Sequence, residues 1–348
     1  MTYILVGVAF FSSLLLTRLF INMAHRFGIL DTPNERSSHE RITPRGGGLS
    51  FVIIFSTCIS IIYAVDNITI ELYLTLIVGG LIVGAIGLWD DYSHVNVGVR
   101  LFVHLLAAST AIVWIGGIQF IQVFEHYYQL GWFGYLLSLF LIVWLLNLFN
   151  FMDGIDGLAS IEAIFVASGA ALISLIGTDS EKYAIQLYES YEKTAIYLLL
   201  PLSFSVLGFL IYNWPPAKIF MGDVGSGYLG FVFGVLVIAT TMTGKLNIWT
   251  WIILLGIFIT DSTVTLIRRI IAGERWYKAH RVHAYQHASR RWNSHRKITL
   301  SVLVINIVWL LPLAWMATIR PIWGVLLTIC AYLPLSFLAF YLRAGKAE

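Results

Sequence analysis

Residues 136–158 read LLSLFLIVWLLNLFNFMDGIDGL, an apolar run that ends in oxygen-bearing side chains and two glycines. Asn147, Asn150, Asp153 and Asp156 are spaced three apart, so on a helix they would form a slowly drifting polar stripe. Carboxylate and amide oxygens at a membrane surface suit a hard cation such as Mg²⁺, especially one shared with phosphates. For this stretch alone, a polar helix end followed by a turn is the competing interpretation.

The composition on either side of this stretch is that of a membrane protein. Of the 348 residues, 58% are hydrophobic and 12% are charged, whereas a soluble domain carries about 25% charged residues. A helix needs about 20 apolar residues to span a bilayer. We therefore predict an all-α polytopic membrane protein, a bundle of about eleven transmembrane helices in a single domain, 1–348. The expected spans lie near 3–24, 47–65, 71–89, 101–116, 134–152, 157–177, 194–213, 226–243, 247–267, 299–316 and 322–342.

The charges between these spans predict the orientation of the chain. Most of the 22 lysines and arginines lie in one alternate set of connections and in the C-terminal tail. By the positive-inside rule this set is cytoplasmic, which places the N-terminus outside and the C-terminus inside. The cytoplasmic set comprises 25–46, 90–100, 153–156, 213–225 and 268–298, and it contains every motif discussed below. We therefore expect one active site, at the cytoplasmic face.

Two of these connections place carboxylates at helix ends. Asp90 and Asp91 end an apolar helix, where they oppose the helix dipole unless a bound cation or a basic cluster offsets them. Arg100 opens the next span. Asp223 lies among glycines just before a span, which suits a metal-phosphate site or, more simply, a helix N-cap. Because these acids and the other motifs lie on the same predicted side of the membrane, we favour a functional role for them.

The connection 268–298 is the most basic part of the chain. On a helix, His280, His283 and His287 would share one face. The chain has no HExxH pattern and no cysteine beside these histidines, so contact with a nucleotide diphosphate, also through Arg281, is favoured over zinc binding. A basic loop that binds lipid headgroups is the alternative.

Other polar residues allow two interpretations each. The arginines and glycines of residues 28–48 suit phosphate binding, but a positive, flexible loop explains them equally well. Glu162 and Asp261 lie within spans, where acids usually face the bundle interior and have a partner. We expect Glu162 to be a substrate-pocket residue and Asp261 to be a structural partner of an arginine or of a backbone group.

Together these residues are of the types that phosphoryl transfer uses, since that reaction needs a metal and positioned cations to stabilise charge. The chain has no Walker A or GxSxG pattern. One competing hypothesis is a proton-coupled membrane transporter, which would need acids along a path through the membrane rather than at one surface. Another is a CDP-alcohol phosphotransferase, which needs a denser array of aspartates than this chain has.

Five motifs, in this order along nearly the whole chain, carry a family resemblance: PNERSSH (33–39), DD (90–91), NFMDGIDG (150–157), FMGDVGS (220–226) and HRVHAYQH (280–287). With them the chain resembles the polyprenyl-phosphate N-acetylhexosamine-1-phosphate transferases of glycosyltransferase family 4. The residues of the first and last of these motifs are most similar to those of the bacterial O-antigen-initiating branch. That branch uses donors of the UDP-N-acetylfucosamine or GlcNAc type. The longer His-rich signature of the phospho-MurNAc-pentapeptide enzymes is absent, and Ser37 stands where many relatives have lysine.

The resemblance implies transfer of an N-acetyl amino-sugar-1-phosphate from a UDP-sugar to undecaprenyl phosphate, which yields undecaprenyl-diphospho-sugar and UMP. This would be the first membrane step of O-antigen, lipopolysaccharide or other cell-surface polysaccharide synthesis, or of another cell-envelope polymer in cell wall biogenesis. The implied cofactor is Mg²⁺, with Mn²⁺ as a substitute, and the implied setting is the bacterial inner membrane. The partners are the two substrates and the bilayer, with no nucleic acid; a homodimer is a further expectation.

The resemblance also assigns roles to residues by matching position. The metal ligands would be Asp223 and Asn150, and the catalytic carboxylates would be Asp90, Asp91, Asp153 and Asp156. The substrate-binding residues would be Asn34, Arg36, His39, Arg100, Gly154, Phe220, His280, Arg281 and His283. Among these, Gly154 and Phe220 would contact the uracil, and Arg100 would lie near the lipid phosphate. A phosphate monoester has a second pKa near 6 and is largely dianionic at neutral pH, so it hardly needs a base. We therefore expect Asp90 and Asp91 to orient the nucleophile or the metal.

Overall fold

The computed structural model describes residues 2–27, 29–32, 41–65, 67–176, 189–242, 246–274 and 280–346. Nearly all regular structure in these ranges is helical, with two short antiparallel strand pairs, β1–β2 and β3–β4. The helices are α1 (Thr2–Phe27), α2 (Leu49–Ala64), α3 (Ile70–Leu74), α4 (Gly80–Ser93), α5 (Val97–Ile115), α6 (Trp132–Phe151), α7 (Leu158–Ile176), α8 (Glu189–Asn213), α9 (Asp223–Met242), α10 (Ile248–Leu254), α11 (Gly256–Ile271), α12 (Ala284–Trp292), α13 (His295–Ile305), α14 (Leu311–Ile319) and α15 (Gly324–Tyr341). The strands are β1 (Leu30–Asp31), β2 (Thr43–Pro44), β3 (Phe120–Val123) and β4 (His126–Gln129). π-Helical turns join α3 to α4 and α13 to α14.

Eight helices in the described ranges are long and apolar enough to cross a membrane. A ninth span results if α10 and α11, which meet at an angle of 76°, are taken as one broken span. Two more apolar helices, α2 and residues 197–213 of α8, lie where the sequence predicts spans but are shorter. The prediction of a polytopic helical membrane protein is confirmed, whereas the predicted number of eleven spans is not.

Helix α9 lies at the centre of the bundle, and 94% of the residues in its apolar stretch are buried. It packs against α4 and α6. A Cβ atom at Gly230 would lie 2.3 Å from the carbonyl oxygen of Leu145 on α6. A Cβ at Gly87 of α4 would lie 2.5 Å from the carbonyl oxygen of Asp223. Glycines at these crossings allow the backbones to approach closely, as is typical of membrane helices.

The polar stripe expected at the end of α6 is only partly helical. Asn147 and Asn150 lie on α6, but the helix ends at Phe151. Asp153 and Asp156 lie in the turn that precedes α7, so the expectation of one helical stripe is wrong for them. Gly157, which has a φ of 72°, supports this turn because glycine adopts positive φ without the steric cost of a side chain.

Candidate active site

Asp91 joins the end of α4 to the start of α9. Its carboxylate accepts hydrogen bonds from the backbone N–H groups of Asp223 (2.8 Å) and Val224 (3.1 Å). Its side chain is 2% exposed. The first N–H groups of a helix have no partner within the helix, and they carry the positive end of its dipole. The carboxylate that is unfavourable at the end of its own helix is therefore stabilised by the beginning of another.

Gly222 makes this contact sterically feasible. Its φ is 76°, and a Cβ atom at this position would lie 2.4 Å from Oδ2 of Asp91. Any side chain here would displace the carboxylate from the helix N-terminus. The glycine before Asp223, which the sequence places in a candidate metal-phosphate site, thus accommodates Asp91.

Two arginines link three carboxylates at this junction. Arg45 contacts Asp91 through Nε (2.8 Å) and Oδ1 of Asp223 through Nη2 (3.1 Å). Arg100 contacts Oδ2 of Asp223 through Nη1 (2.7 Å) and also pairs with Asp90. The sequence-based expectation that a cation or a basic cluster offsets the two acids at the end of α4 is confirmed. Burial alone would lower the pKa of Arg45, but Asp91 and Asp223 raise it above its ordinary value, so the guanidinium stays charged.

The segment that carries Arg45 is fixed to the loop before α9 by its backbone. The N–H of Phe220 donates to the carbonyl of Pro44 (2.8 Å), and the N–H of Gly47 donates to the carbonyl of Phe220 (2.9 Å). A further hydrogen bond joins the N–H of Gly48 to the carbonyl of Met221 (2.8 Å). The connection before α2 thus lies along the connection before α9, which brings two distant motifs of the sequence together.

The turn between α6 and α7 brings two further aspartates near this junction, in different surroundings. Asp156 accepts a hydrogen bond from the N–H of Ala217 (3.0 Å), and its Oδ2 lies 3.3 Å from Nδ1 of His295. Asp153 forms no salt bridge or side-chain hydrogen bond with another described residue. Burial, together with the nearby charge of Asp223, raises the pKa of Asp153 well above its ordinary value. Asp156 thus connects neighbouring segments, whereas Asp153 forms no salt bridge among the described residues, although the charge of Arg45 acts on it.

The residues of the predicted histidine cluster have different roles from those expected. His283 is the N-cap residue of α12, and only His287 lies on the helix, so the expectation of one shared helical face is wrong. His283 is 3% exposed, and its Nδ1 lies 3.2 Å from Oδ1 of Asp261. The ring of His280 stacks on His283 at 5.0 Å. Burial, with the charges of His283 and Arg269, lowers the pKa of His280 to about 3, so this imidazole is neutral.

Asp261 accepts hydrogen bonds from the first N–H groups of α12, as Asp91 does from those of α9. Its carboxylate oxygens accept hydrogen bonds from the N–H groups of Ala284 (2.9 Å) and Tyr285 (3.0 Å). The prediction that Asp261 partners a backbone group is confirmed. Tyr285 then donates its hydroxyl to the carbonyl of Phe151 (2.9 Å) at the end of α6. Burial and the charge of Asp261 raise the pKa of Tyr285 well above its ordinary value, so the hydroxyl keeps its proton for this bond.

Gly154 is positioned by the same contact. A Cβ atom on Gly154 would lie 2.1 Å from the hydroxyl oxygen of Tyr285. The connection before α12 therefore packs directly on the turn that carries Asp153. This places Arg281 in the same part of the molecule, since its charge acts on Tyr285.

Glu162 is fully buried on α7 and accepts a hydrogen bond from Nδ2 of Asn306 (2.6 Å). Asn306 opens the π-helical turn between α13 and α14. The other oxygen of Glu162 and the amide oxygen of Asn306 are buried without a partner among the described residues. The contact shown for Glu162 is therefore between helices, and nothing in it supports the predicted place in a substrate pocket.

The structure therefore brings most of the predicted residues to one end of the bundle. Asp90, Asp91, Arg100 and Asp223 form one network, and the turn with Asp153 and Gly154 meets the segment 280–285. Asn150 approaches α9 through Ser226, with 3.5 Å between Nδ2 and Oγ. Asn34, Arg36 and His39 lie outside the described residues.

Three residues of this region were not assigned individual roles from the sequence. Arg45, Tyr285 and His295 contact the predicted residues through side chains. Arg45 stands directly before the glycine run 46–48, which is a usable signal of close backbone approach. No local signal marks Tyr285 or His295, because their partners lie far away along the chain.

The donor set suits a hard divalent cation in type and in charge. Asp90, Asp91, Asp153 and Asp223 supply only carboxylate oxygens, and Asn150 adds an amide oxygen. If all four acids are ionised, Arg45 and Arg100 leave two negative charges, which a divalent cation would neutralise. Within the described ranges no three His, Cys, Asp or Glu side chains lie close enough together to hold a metal. The residues therefore fit Mg²⁺ in chemistry, while the arginines pair with the carboxylates that would bind it.

An apolar cavity of about 570 Å³ lies behind the segment 284–288. Residues of α11, α12, α13 and α15 line it, and Lys297 is the one lysine or arginine among them. Asp261 and Tyr285 belong to its wall, although hydrogen bonds to the backbone occupy both. The cavity thus borders the residues that position Gly154.

Comparison with known proteins gives consistent matches. A family model described as glycosyl transferase family 4 matches residues 73–241. A Bacillus subtilis protein named as a probable undecaprenyl-phosphate N-acetylglucosaminyl 1-phosphate transferase is 31% identical over 307 residues, which cover 86% of this chain and 80% of the relative. The phospho-N-acetylmuramoyl-pentapeptide-transferase of Bacillus pumilus is 31% identical over 339 residues, which cover 87% and 97%. The decaprenyl-phosphate N-acetylglucosaminephosphotransferase of Mycolicibacterium smegmatis is 28% identical over 311 residues, which cover 80% and 73%.

Proposed function

The chain belongs to glycosyl transferase family 4, with the polyprenyl-phosphate N-acetylglucosamine-1-phosphate transferases, and on that premise we propose that it transfers an N-acetyl amino-sugar-1-phosphate from a UDP-sugar to undecaprenyl phosphate. The products are undecaprenyl-diphospho-sugar and UMP. The observation that carries this proposal is the network of Asp90, Asp91 and Asp223 with Arg45 and Arg100. It combines metal-type oxygens with phosphate-binding cations at the end of a membrane bundle, where a lipid phosphate and a soluble nucleotide can meet.

In the proposed reaction, a phosphate oxygen of the lipid attacks the phosphorus that bears the sugar, the diphosphate bond breaks, and UMP leaves. Mg²⁺, or Mn²⁺ in its place, would be held by Asp223 and Asn150 with support from Asp153, and would supply charge neutralisation at the diphosphate. Arg100 lies beside Asp90 and Asp223, where it would bind the incoming lipid phosphate. The neutral imidazole of His280 and the guanidinium of Arg281 would hold the diphosphate or the sugar.

Asp90 and Asp91 orient rather than accept a proton in this scheme. Both carboxylates are paired with arginines, and Asp91 also accepts two backbone hydrogen bonds. These contacts fix both carboxylates in place, which suits an orienting role. The lipid phosphate supplies its own anionic oxygen at neutral pH.

The test is UMP release by purified protein in detergent, with undecaprenyl phosphate, Mg²⁺ and a panel of donors. The panel includes UDP-GlcNAc, UDP-GalNAc, UDP-N-acetylfucosamine, UDP-N-acetylquinovosamine and UDP-MurNAc-pentapeptide. We expect UMP only with lipid and metal present, and none from Asp223→Asn. A preference for N-acetylfucosamine would support the O-antigen branch, whereas a preference for GlcNAc would fit either that branch or a transferase for another cell-envelope polymer. Turnover of the pentapeptide donor alone would exclude the O-antigen branch. Folded protein that releases UMP from none of these donors would contradict the proposal.

A further inference from the structure

Arg45 lies between two carboxylates that behave differently. Asp91, which its Nε contacts, is fixed by two N–H groups of α9. Asp223, which its Nη2 contacts, has no hydrogen bond from the backbone to its carboxylate among those seen in the described residues. The contact to Asp91 is the shorter one, 2.8 Å against 3.1 Å. Arg45 thus has one partner whose carboxylate is anchored by backbone N–H groups and one whose carboxylate is contacted by side chains.

Both carboxylate oxygens of Asp223 contact arginines in this structure. Its Oδ1 faces Arg45 and its Oδ2 faces Arg100. A divalent cation that bound the same carboxylate would meet guanidinium groups at hydrogen-bonding distance from both oxygens. Like charges at such distances repel strongly in a partly buried site. This repulsion favours the withdrawal of at least one arginine when a metal binds at Asp223.

The position of Arg45 makes a small withdrawal possible. Its backbone is held by the hydrogen bonds of Pro44 and Gly47 to Phe220, and its side chain is 28% exposed. Because Nε and Nη2 belong to one planar group, a small tilt of the guanidinium about its contact with Asp91 would move Nη2 away from Asp223. Arginine has five N–H donors in a planar fork, so the released group remains available for a phosphate oxygen.

We propose that Arg45 is a resident counter-cation of the metal site: it pairs with Asp223 in the metal-free protein, yields this carboxylate to the divalent cation, and then binds the diphosphate of the donor. This inference rests on the proposed function, because it assumes that Asp223 binds the metal. Arg45 would keep the acids together before substrate arrives, and it would lower the affinity for a metal that arrives without a diphosphate. In this way productive metal binding is coupled to the donor.

The experiment measures Mn²⁺ binding by electron paramagnetic resonance in detergent, without lipid or donor. It compares wild type, Arg45→Gln, Arg45→Lys and, as a matched control, Arg320→Gln at an exposed position far along the chain. We expect Arg45→Gln to bind Mn²⁺ at least about tenfold more tightly than wild type, since a neighbouring positive charge is removed. Lysine keeps the charge but lacks the fork, so Arg45→Lys should fall in between, and Arg320→Gln should match wild type.

Thermal unfolding provides a second readout that a merely structural role would not reproduce. Without metal, Arg45→Gln should unfold at a lower temperature than wild type, because Asp91 and Asp223 lose their shared cation. With saturating Mn²⁺ it should gain more than wild type, since tighter binding to the folded state stabilises it more. A donor present in both samples should narrow the difference in Mn²⁺ affinity, because the wild-type arginine then has a phosphate partner.

Equal Mn²⁺ affinity in wild type and Arg45→Gln would overturn this inference and leave the transferase proposal standing. Weaker binding by Arg45→Gln would also overturn it and would make Arg45 a support of the metal site. If Arg45→Gln fails to fold, the same comparison is decided by Arg45→Lys. Metal-independent UMP release with no Mn²⁺ bound to any variant would instead refute the proposed metal site itself, and this result is distinct from the other two.

Discussion

Asp90 and Asp91 are neighbours in sequence but have different surroundings. Asp91 accepts two backbone hydrogen bonds from the start of α9 and is almost completely buried. Asp90 accepts a hydrogen bond from the N–H of Val95 (2.6 Å), pairs with Arg100 and is 12% exposed. Asp91 therefore joins α4 to α9, whereas Asp90 stabilises the connection that follows α4. Their substitutions should separate these roles.

Asp91→Asn should lower both stability and turnover, without a change in the pH dependence of turnover. The asparagine keeps one acceptor oxygen but loses the charge beside Arg45, a loss of about 1–3 kcal/mol for a buried, charge-assisted hydrogen bond. UMP release should fall at least about tenfold at every pH, because a displaced α9 misplaces Asp223. A pH–rate profile and thermal unfolding would check this, with Asp90→Asn as the paired variant. Activity that returns at high pH would show that Asp91 acts as a base.

His280 gives the site a pH dependence of stability. The pKa of His280 is lowered to about 3 in the folded protein, below its ordinary value of about 6.5 in an unfolded chain. The unfolded state therefore binds more protons below about pH 6.5, and the contribution of His280 to stability, complete above that pH, is lost as the pH falls toward the folded pKa. We expect wild type to lose more thermal stability than His280→Gln between about pH 7.5 and about pH 5.

The control for this comparison is His126→Gln, at an exposed position on β4. It should follow wild type across the same pH range, because the residue lies away from the buried cluster. If wild type and His280→Gln lose stability in parallel, His280 is not the group that titrates.

At the scale of elements, the close crossing of α6 and α9 positions the candidate site. Asn150 near the end of α6 reaches Ser226 in the first turn of α9, so the distance between these helices sets the distance between two predicted metal ligands. The crossing depends on glycine because backbone atoms of α6 fill the space where a Cβ would lie.

Gly230→Ala should destabilise the protein and weaken its function together. The added Cβ would lie 2.3 Å from the carbonyl oxygen of Leu145 and 2.6 Å from Cα of Leu146, and overpacking of this kind costs about 1–3 kcal/mol. Gly227→Ala on the same helix is the matched control, since the nearest atom there is Cγ1 of Val83 at 3.4 Å. Thermal unfolding in detergent would compare them. Equal unfolding temperatures would show that the two helices separate without cost.

At the scale of the whole molecule, the charge distribution predicts which face carries the site. An odd number of spans, nine or eleven, places the termini on opposite sides of the membrane, whereas eight places them on the same side. The connections that meet at the candidate site hold most of the basic residues, so this face should be cytoplasmic and the C-terminus should lie on the same side.

Cysteine labelling in intact cells would test this orientation. In a chain with Cys58→Ala and Cys330→Ala, Glu125→Cys between β3 and β4 should react with a membrane-impermeant maleimide. Lys218→Cys, in the connection before α9, should react only after the cells are permeabilised. Both positions are exposed in the structure, so accessibility alone does not distinguish them. The reverse pattern would place the candidate site on the outside.

The sequence by itself determined the class of the protein, most of its spans and the end of the bundle at which the chemistry-bearing residues gather. These properties depend on the local run of apolar residues and on charge, which can be read within a window of a few helical turns. The family could likewise be recognised from the sequence, because each of its motifs is a short local stretch and their order is visible along the chain. Asp153 and Asp156 are the exception, because their three-residue spacing continues past the end of α6 into a turn.

Only the tertiary structure decided which residue contacts which. Asp91 and the N–H of Asp223 are 132 positions apart, and Arg45 lies 178 positions from its partner Asp223. Whether Asp90 or Asp91 faces α9 depends on how α4 crosses that helix, and the burial of His283 depends on Asp261 of the preceding span. Such contacts arise when separate helices pack and their unpaired N–H groups find acceptors. A pattern within one helix contains no information about the helix that will lie beside it.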